Sequence, residues 1–144
     1  MQAEPGKDEL KLDLALALIG VGAAAEARKL LDALPAMLSI DDRAIRAHAH
    51  LGFSSLLLDA PPRQTLEAAI AADPGDLRAR HLLGVHLLLE SEIEAGLDQF
   101  LEMLRRDRSY QDQLAKKTLI EAFRIIDDPD LVGAYRRKMA SLLF

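Results

Sequence analysis

Apolar residues recur along this chain at helical spacing. Ala27, Leu30, Leu31 and Leu34 stand at i, i+3, i+4 and i+7 and so share one side of a helix. Ile93, Leu97, Phe100, Leu101 and Leu104 form a second stripe, Ala115, Leu119, Phe123 and Ile126 a third, and Val132, Tyr135, Met139 and Leu142 a fourth. The breaks between stripes predict eight helices. The first spans about Asp8 to Ile19 and yields at Gly20 and Gly22. The second covers about Ala23 to Leu34, where Pro35 stops it because its ring clashes with a continuing turn. Asp41 suits the N-cap of the third, which runs to about Leu58. Pro61 and Pro62 suit the first turn of a short fourth helix, ending before Asp73-Pro74. Asp76 caps the fifth, to about Glu90; the sixth runs from Glu92 to Arg106 and the seventh from Tyr110 to Ile126. Pro129 opens the eighth, whose start Asp127, Asp128 and Asp130 cap and charge. No segment reads as a strand, so the expected fold class is all-α.

The fifth and sixth helices carry a packing signature. Leu83-Gly84 sets a bulky residue beside a tiny one, Gly96 is small on the following helix, and Phe100 is placed to fill the gap above that contact. Two amphipathic helices with this pattern resemble one tetratricopeptide unit of about 34 residues. Leu14-Ala15 and Leu51-Gly52 are equivalent large-small pairs, spaced 37 and 32 residues from pair to pair along the chain. Ala27 matches Gly96, and Asp73-Pro74 matches the aspartate-proline that ends a unit. The expected architecture is a tetratricopeptide-like helical repeat solenoid: about eight helices in four antiparallel pairs, the fourth pair capping the stack. Such a unit cannot bury its apolar face alone and must stack on neighbours.

Composition narrows the function. Half of the 144 residues are apolar and only 4% are aromatic, so alanine and leucine carry the packing. There is no cysteine, which excludes disulfides, thiolate metal sites and thiol catalysis, and fits a cytoplasmic location. No run reaches the roughly 18 apolar residues of a membrane span. Residues 1–104 hold nine Lys and Arg against 17 Asp and Glu, a net of −8; residues 105–144 hold nine against six, a net of +3. A mildly basic end on an acidic body argues against nucleic acid, which needs a concentrated basic face.

The second half is more particular. RRDRSYQDQLAKKTLIEAF (105–123), the DPDL turn at Asp128 to Leu131 and the closing YRRKMASLLF (135–144) resemble the C-terminal domain of bacterial YbbN-type chaperedoxins, in which tetratricopeptide repeats follow a thioredoxin domain. DLALALIGVGAAAEARKLLDALP (13–35) and LEAAIAADPGDLRAR (66–80) fit the same domain. The resemblance implies a non-catalytic interaction module that holds unfolding or oxidatively damaged clients and passes them to a chaperone or chaperonin. Met1 to Lys7 is polar, contains Pro5-Gly6 and reads as a linker remnant ahead of a repeat domain at 8–144, and the resemblance implies that the parent's thioredoxin domain is missing from the chain. The alternative is a repeat adaptor for one folded partner in an assembly or secretion system.

Transferring the usual groove positions of such a stack gives Leu12, Leu16 and Ile19 on the first helix, Arg46, Ala49, Phe53 and Leu56 on the third, and Arg78, His81, Val85 and Leu88 on the fifth. This mostly apolar face suits an exposed hydrophobic segment or an amphipathic helix. It is either open to a partner or filled by the protein's own last helices. The C-terminal Leu142, Leu143 and Phe144 either dock on the last helix pair or form a tail for a large chaperone. The eight basic groups Arg105, Arg106, Arg108, Lys116, Lys117, Arg136, Arg137 and Lys138 have only Tyr110 and Tyr135 as aromatic companions, few for base stacking. They suit helix C-termini or acidic neighbours better. His48 and His50, and His81 and His86, lack the i, i+4 spacing that puts two metal ligands on one helical face. Glu90, Glu92 and Glu94 read as a solvated loop. No metal, cofactor or catalytic site is expected. The apolar first helix leaves room for a homo-oligomer.

Overall fold

The computed structural model describes residues 5–20, 24–33 and 42–144, and all the regular structure in them is helical. The helices are α1 (Pro5–Gly20), α2 (Ala24–Asp32), α3 (Asp42–Leu56), α4 (Arg63–Ala72), α5 (Leu77–Leu89), α6 (Ile93–Asp107), α7 (Tyr110–Ile125) and α8 (Pro129–Leu143). The predicted break at Gly22, start at Ala23, end at Leu34-Pro35 and cap at Asp41 lie outside the described residues, as do Met1 to Glu4 of the expected linker. The rest of that linker, Pro5 to Lys7, is helical: proline suits a first turn, where its missing N–H has no partner to lose.

Elsewhere the capping chemistry works as read, with two departures. The Asp76 carboxylate accepts the Ala79 N–H at 3.1 Å, and Asp128 accepts from Asp130 and Leu131 at 3.0 and 3.2 Å. Pro61 and Pro62, expected inside the first turn of α4, precede it. Pro62 is extended at ψ 157°, and Pro61 is held out of the helical region by the proline that follows it. The α5–α6 turn depends on Ser91, whose φ of 67° is left-handed. Glu92 N–H reaches Leu87 O at 2.8 Å and Ser91 N–H reaches Leu88 O at 3.3 Å, closing the end of α5 with a pair of bonds usually set by glycine.

The chain divides into two compact units, residues 1–55 and 56–144. In the first, Ala15 of α1, Ala27 and Leu31 of α2, and Ala44, Ala47 and Leu51 of α3 form one buried cluster, with Leu16, Leu18 and Leu30 against it. Four of these six are alanines, so the three helices meet with little between their backbones. Leu51 is buried as the repeat pattern requires. Gly52 is not: it is exposed, and a Cβ there would meet nothing within 4 Å. The large-small reading fails at this glycine, which no close approach requires. Gly52→Ala is therefore expected to stabilise the protein by about 0.5–1 kcal/mol through helix propensity alone, seen as a higher urea midpoint.

In the second unit α5 and α6 are the central pair: α5 also packs against α4 and, over a small contact, α7, and α6 receives α7 and α8. Leu66 of α4 joins Ala79, Leu83 and Leu87 of α5 in one cluster. Leu97, Phe100, Leu101, Met103 and Leu104 line the inner side of α6, and Ala115, Leu119, Ala122 and Phe123 come from α7. The α5–α6 crossing is as close as backbones allow. A Cβ on Gly96 would lie 2.8 Å from Gly84 O, and one on Gly84 would lie 2.5 Å from the Phe100 ring. Phe100 is fully buried there.

Candidate functional site

The expected groove positions divide between the two units. In the first unit the side chains of Leu12 and Ile19 lie outside the described residues, Leu16 and Arg46 are half-buried, and Ala49 and Phe53 are buried at 6% and 4% exposure. In the second, Leu56 and Arg78 are exposed, while His81, Val85 and Leu88 are buried at 6%, 0% and 5%. On α5, then, the face expected to meet a partner belongs to the core. On this side α5 meets α6 closely and α7 over a small contact, where Thr118 reaches His81.

That contact fixes a proton. Thr118 donates its single hydroxyl hydrogen to Leu114 O at 2.7 Å, so its oxygen accepts from His81 Nε2 at 3.1 Å. His81 thus carries a hydrogen on Nε2. Its ring also lies 6.0 Å from that of Phe100, tilted by 50°. Burial holds His81 below the ordinary histidine value of 6.5, and His50 likewise. A depressed folded value means the unfolded chain takes up the proton first. The contribution of these two groups to stability is therefore constant above about pH 6.5 and falls as the pH drops from there through the folded value. Urea unfolding at about pH 7.5 and about pH 5.5 should show this loss, at most about 1.4 kcal/mol per pH unit for each group, and His81→Gln should reduce it.

Polar groups that invite a functional reading hold helices together instead. Glu90 and Glu92, expected to be solvated, grip Arg63 at the start of α4. The guanidinium bonds Glu67 at 2.6 Å and Glu90 at 2.7 Å, and also Glu92, and these carboxylates raise its already high pKa. His86 Nε2 donates to Pro61 O at 3.1 Å across the same junction. The sequence offered no pairing for these groups because Arg63 is 27 and 29 residues from its turn partners. Tyr135 of α8 donates to Asp98 at 2.8 Å, and burial, reinforced by that carboxylate, raises its pKa. Among the basic groups, Arg105 and Arg106 share Glu102, Lys117 pairs with Asp112, Arg136 lies 5.1 Å over Phe123, and Lys138 lies 4.5 Å over Tyr135. No group of three metal-ligating side chains occurs among the described residues.

At the C-terminus Leu142 and Leu143 are half-buried and Phe144 is 99% exposed. Among the described residues of the first unit, the large apolar side chains left open are Leu10 and Leu14, one turn apart on α1 at 67% and 51% exposure. In the second they include Leu56 and Leu58 at 45% and 82%. No described helix is long and apolar enough to cross a membrane.

A central helix pair with glycines at the crossing and a stacked following pair is repeat geometry, and the comparison with family models agrees: the model for the tetratricopeptide repeat matches residues 57–144. This chain belongs to the tetratricopeptide repeat family. Tetratricopeptide repeats generally mediate protein–protein interaction and are typically non-catalytic. A crystal structure of a domain of protein VP0806 (unknown function) from Vibrio parahaemolyticus RIMD 2210633 is similar, with a TM-score of 0.51 and 23% identity over 94% of this chain and 80% of that one. At that identity the likeness concerns the fold alone. No curated protein matched the sequence. Residues 57–144 are nearly the whole of the second unit, so the repeat signature resides where Gly84, Gly96 and Phe100 pack.

Proposed function

We propose that this tetratricopeptide repeat protein is a non-catalytic interaction module that holds unfolding clients in the cytoplasm and docks to a chaperone or chaperonin, as the repeat portion of a thioredoxin-linked co-chaperone. The observation that carries the holding role is the set of large apolar side chains left in solvent, Leu10 and Leu14 in one unit and Leu56, Leu58 and Phe144 in the other. Transient apolar contacts of this kind suit segments exposed in an unfolding chain, with affinity set by what association costs rather than by area. Of the expected groove, Leu16, Arg46, Leu56 and Arg78 retain accessible atoms and are the positions proposed for contact. Chaperone docking rests on the chaperedoxin resemblance of residues 105–144.

The test is suppression of thermal aggregation of two unrelated heat-labile proteins at stoichiometric amounts of this chain. Both should stay in solution, and a Leu10→Ser, Leu14→Ser variant should protect them less. Failure to protect either, combined with tight retention of a single folded partner, would support the adaptor instead.

A further inference from the structure

The turn between α6 and α7 and the end of α8 border two adjoining open hollows that the packing of the repeat does not use. One, of about 300 Å³, is lined by Arg108, Ser109, Gln113, Lys116, Leu143 and Phe144. The other, of about 460 Å³, shares Arg108 and Ser109 and is also lined by Leu104, Arg105, Arg106, Leu142 and Asp107, whose carboxylate accepts from the Ser109 N–H and hydroxyl at 3.0 and 2.7 Å. Both volumes are in the range of recognition pockets for single side chains or small ligands. Their walls combine two chemistries. Leu142, Leu143 and Phe144 are apolar, and Phe144 is almost wholly in solvent. Arg108 and Lys116 are cations, and among the described residues neither is within ion-pair distance of a carboxylate. Arg108 donates to the neutral Leu143 carbonyl at 3.1 Å, while the neighbouring Lys117 has taken Asp112 and Arg105 and Arg106 have taken Glu102.

The backbone beside the smaller hollow is itself unusual. Gln111, Asp112 and Gln113 have φ of 50°, 56° and 62°, three successive left-handed residues with no glycine among them. Each such residue costs about 1–2 kcal/mol, and strain of this kind collects at binding and switch segments. Across the turn, Gln113 N–H reaches Ser109 O at 3.4 Å.

We infer that these hollows form a docking site for an acidic amphipathic peptide segment of a partner protein, with carboxylates on Arg108 and Lys116 and a bulky apolar side chain against Leu143 and Phe144. Charge complementarity selects this occupant: residues 105–144 carry a net +3 on a body of −8, and the unpaired cations stand beside open apolar surface. The inference rests on the interaction-module reading and names the chemistry of one partner at one place.

The experiment uses the full chain and a fluorescein-labelled peptide of three Glu-Glu-Leu-Phe repeats, read by fluorescence anisotropy at low salt. Two control peptides replace Glu by Lys, or Leu and Phe by Ser. The first peptide should bind and both controls should fail. Lys116→Glu and Phe144→Ser should each weaken binding about tenfold, whereas Lys117→Glu, with the same charge change one residue away, should not. Lys117 and Phe144 are exposed and Lys116 is half-buried, so unchanged helical circular dichroism is expected in all three variants. Absence of binding, equal weakening by Lys117→Glu, or full binding by both Lys116→Glu and Phe144→Ser would overturn the site. The aggregation assay on the same variants separates the two readings: holding that survives loss of peptide binding leaves the holding role standing, and peptide binding without holding leaves only the docking site.

Discussion

Gly96→Val is expected to unfold in urea at a midpoint lowered by about 1.5–2 M, a loss of about 3 kcal/mol. The first side-chain atom already meets backbone, 2.8 Å from Gly84 O and 3.1 Å from Leu88 N. No rotamer relieves that contact, so α5 and α6 must part at their closest point, and the two γ-carbons of valine widen the gap further. Gly96→Ala should lose less, since about 1 kcal/mol of helix propensity offsets part of the overpacking. The comparison with Gly52→Ala is the sharp one. The same chemical change raises stability where the glycine faces open space and lowers it where the glycine faces a backbone. A Gly96→Val midpoint equal to that of the parent protein would show that the crossing is not a close contact.

Phe100→Ala is expected to cost about 4 kcal/mol, because a fully buried ring is removed and its neighbours cannot collapse into the space. The ring lies against Gly84 on one side and tilts toward His81 on another. Its loss should therefore also disturb the hydrogen bond from His81 to Thr118. Gly84→Ala tests the same contact from the opposite wall. Its added carbon meets the ring rather than backbone, at 2.5 and 2.9 Å from Cε1 and Cζ. Phe100→Leu should accordingly rescue part of the Gly84→Ala loss, a favourable coupling in a double-mutant cycle. It should rescue none of the Gly96→Val loss. Equal rescue of both would mean that the ring, not the backbone, limits both positions.

The periodicity of apolar residues was enough to place the helices, because each must present one side to a neighbour. Caps at Asp76 and Asp128 were legible for the same reason: an aspartate ahead of a helix answers unpaired N–H groups wherever the helix is packed. Ser91 was not, because its left-handed turn is a role usually taken by glycine and no local feature marks it. The candidate site was read less well. Groove positions were assigned from the repeat phase, and phase says which side of α5 a residue occupies without saying what lies beyond it. On His81, Val85 and Leu88 that neighbour is core. Arg63, Glu90 and Glu92 were missed because an ion pair across 27 or 29 residues has no periodic signal.

By itself the sequence determined the helical class, the repeat unit at Leu83-Gly84, Gly96 and Phe100, and the opposite net charges of residues 1–104 and 105–144. These depend on spacing along one helix or on simple sums, which a linear chain already contains. Only the tertiary structure decided that Gly84 and Gly96 face each other while a Cβ on Gly52 would meet nothing, that α7 brings Thr118 to His81, and that Arg108 and Lys116 line one hollow with Phe144. Each of these depends on which surfaces of different helices meet, and that is settled by packing across the fold rather than by periodicity within any one helix.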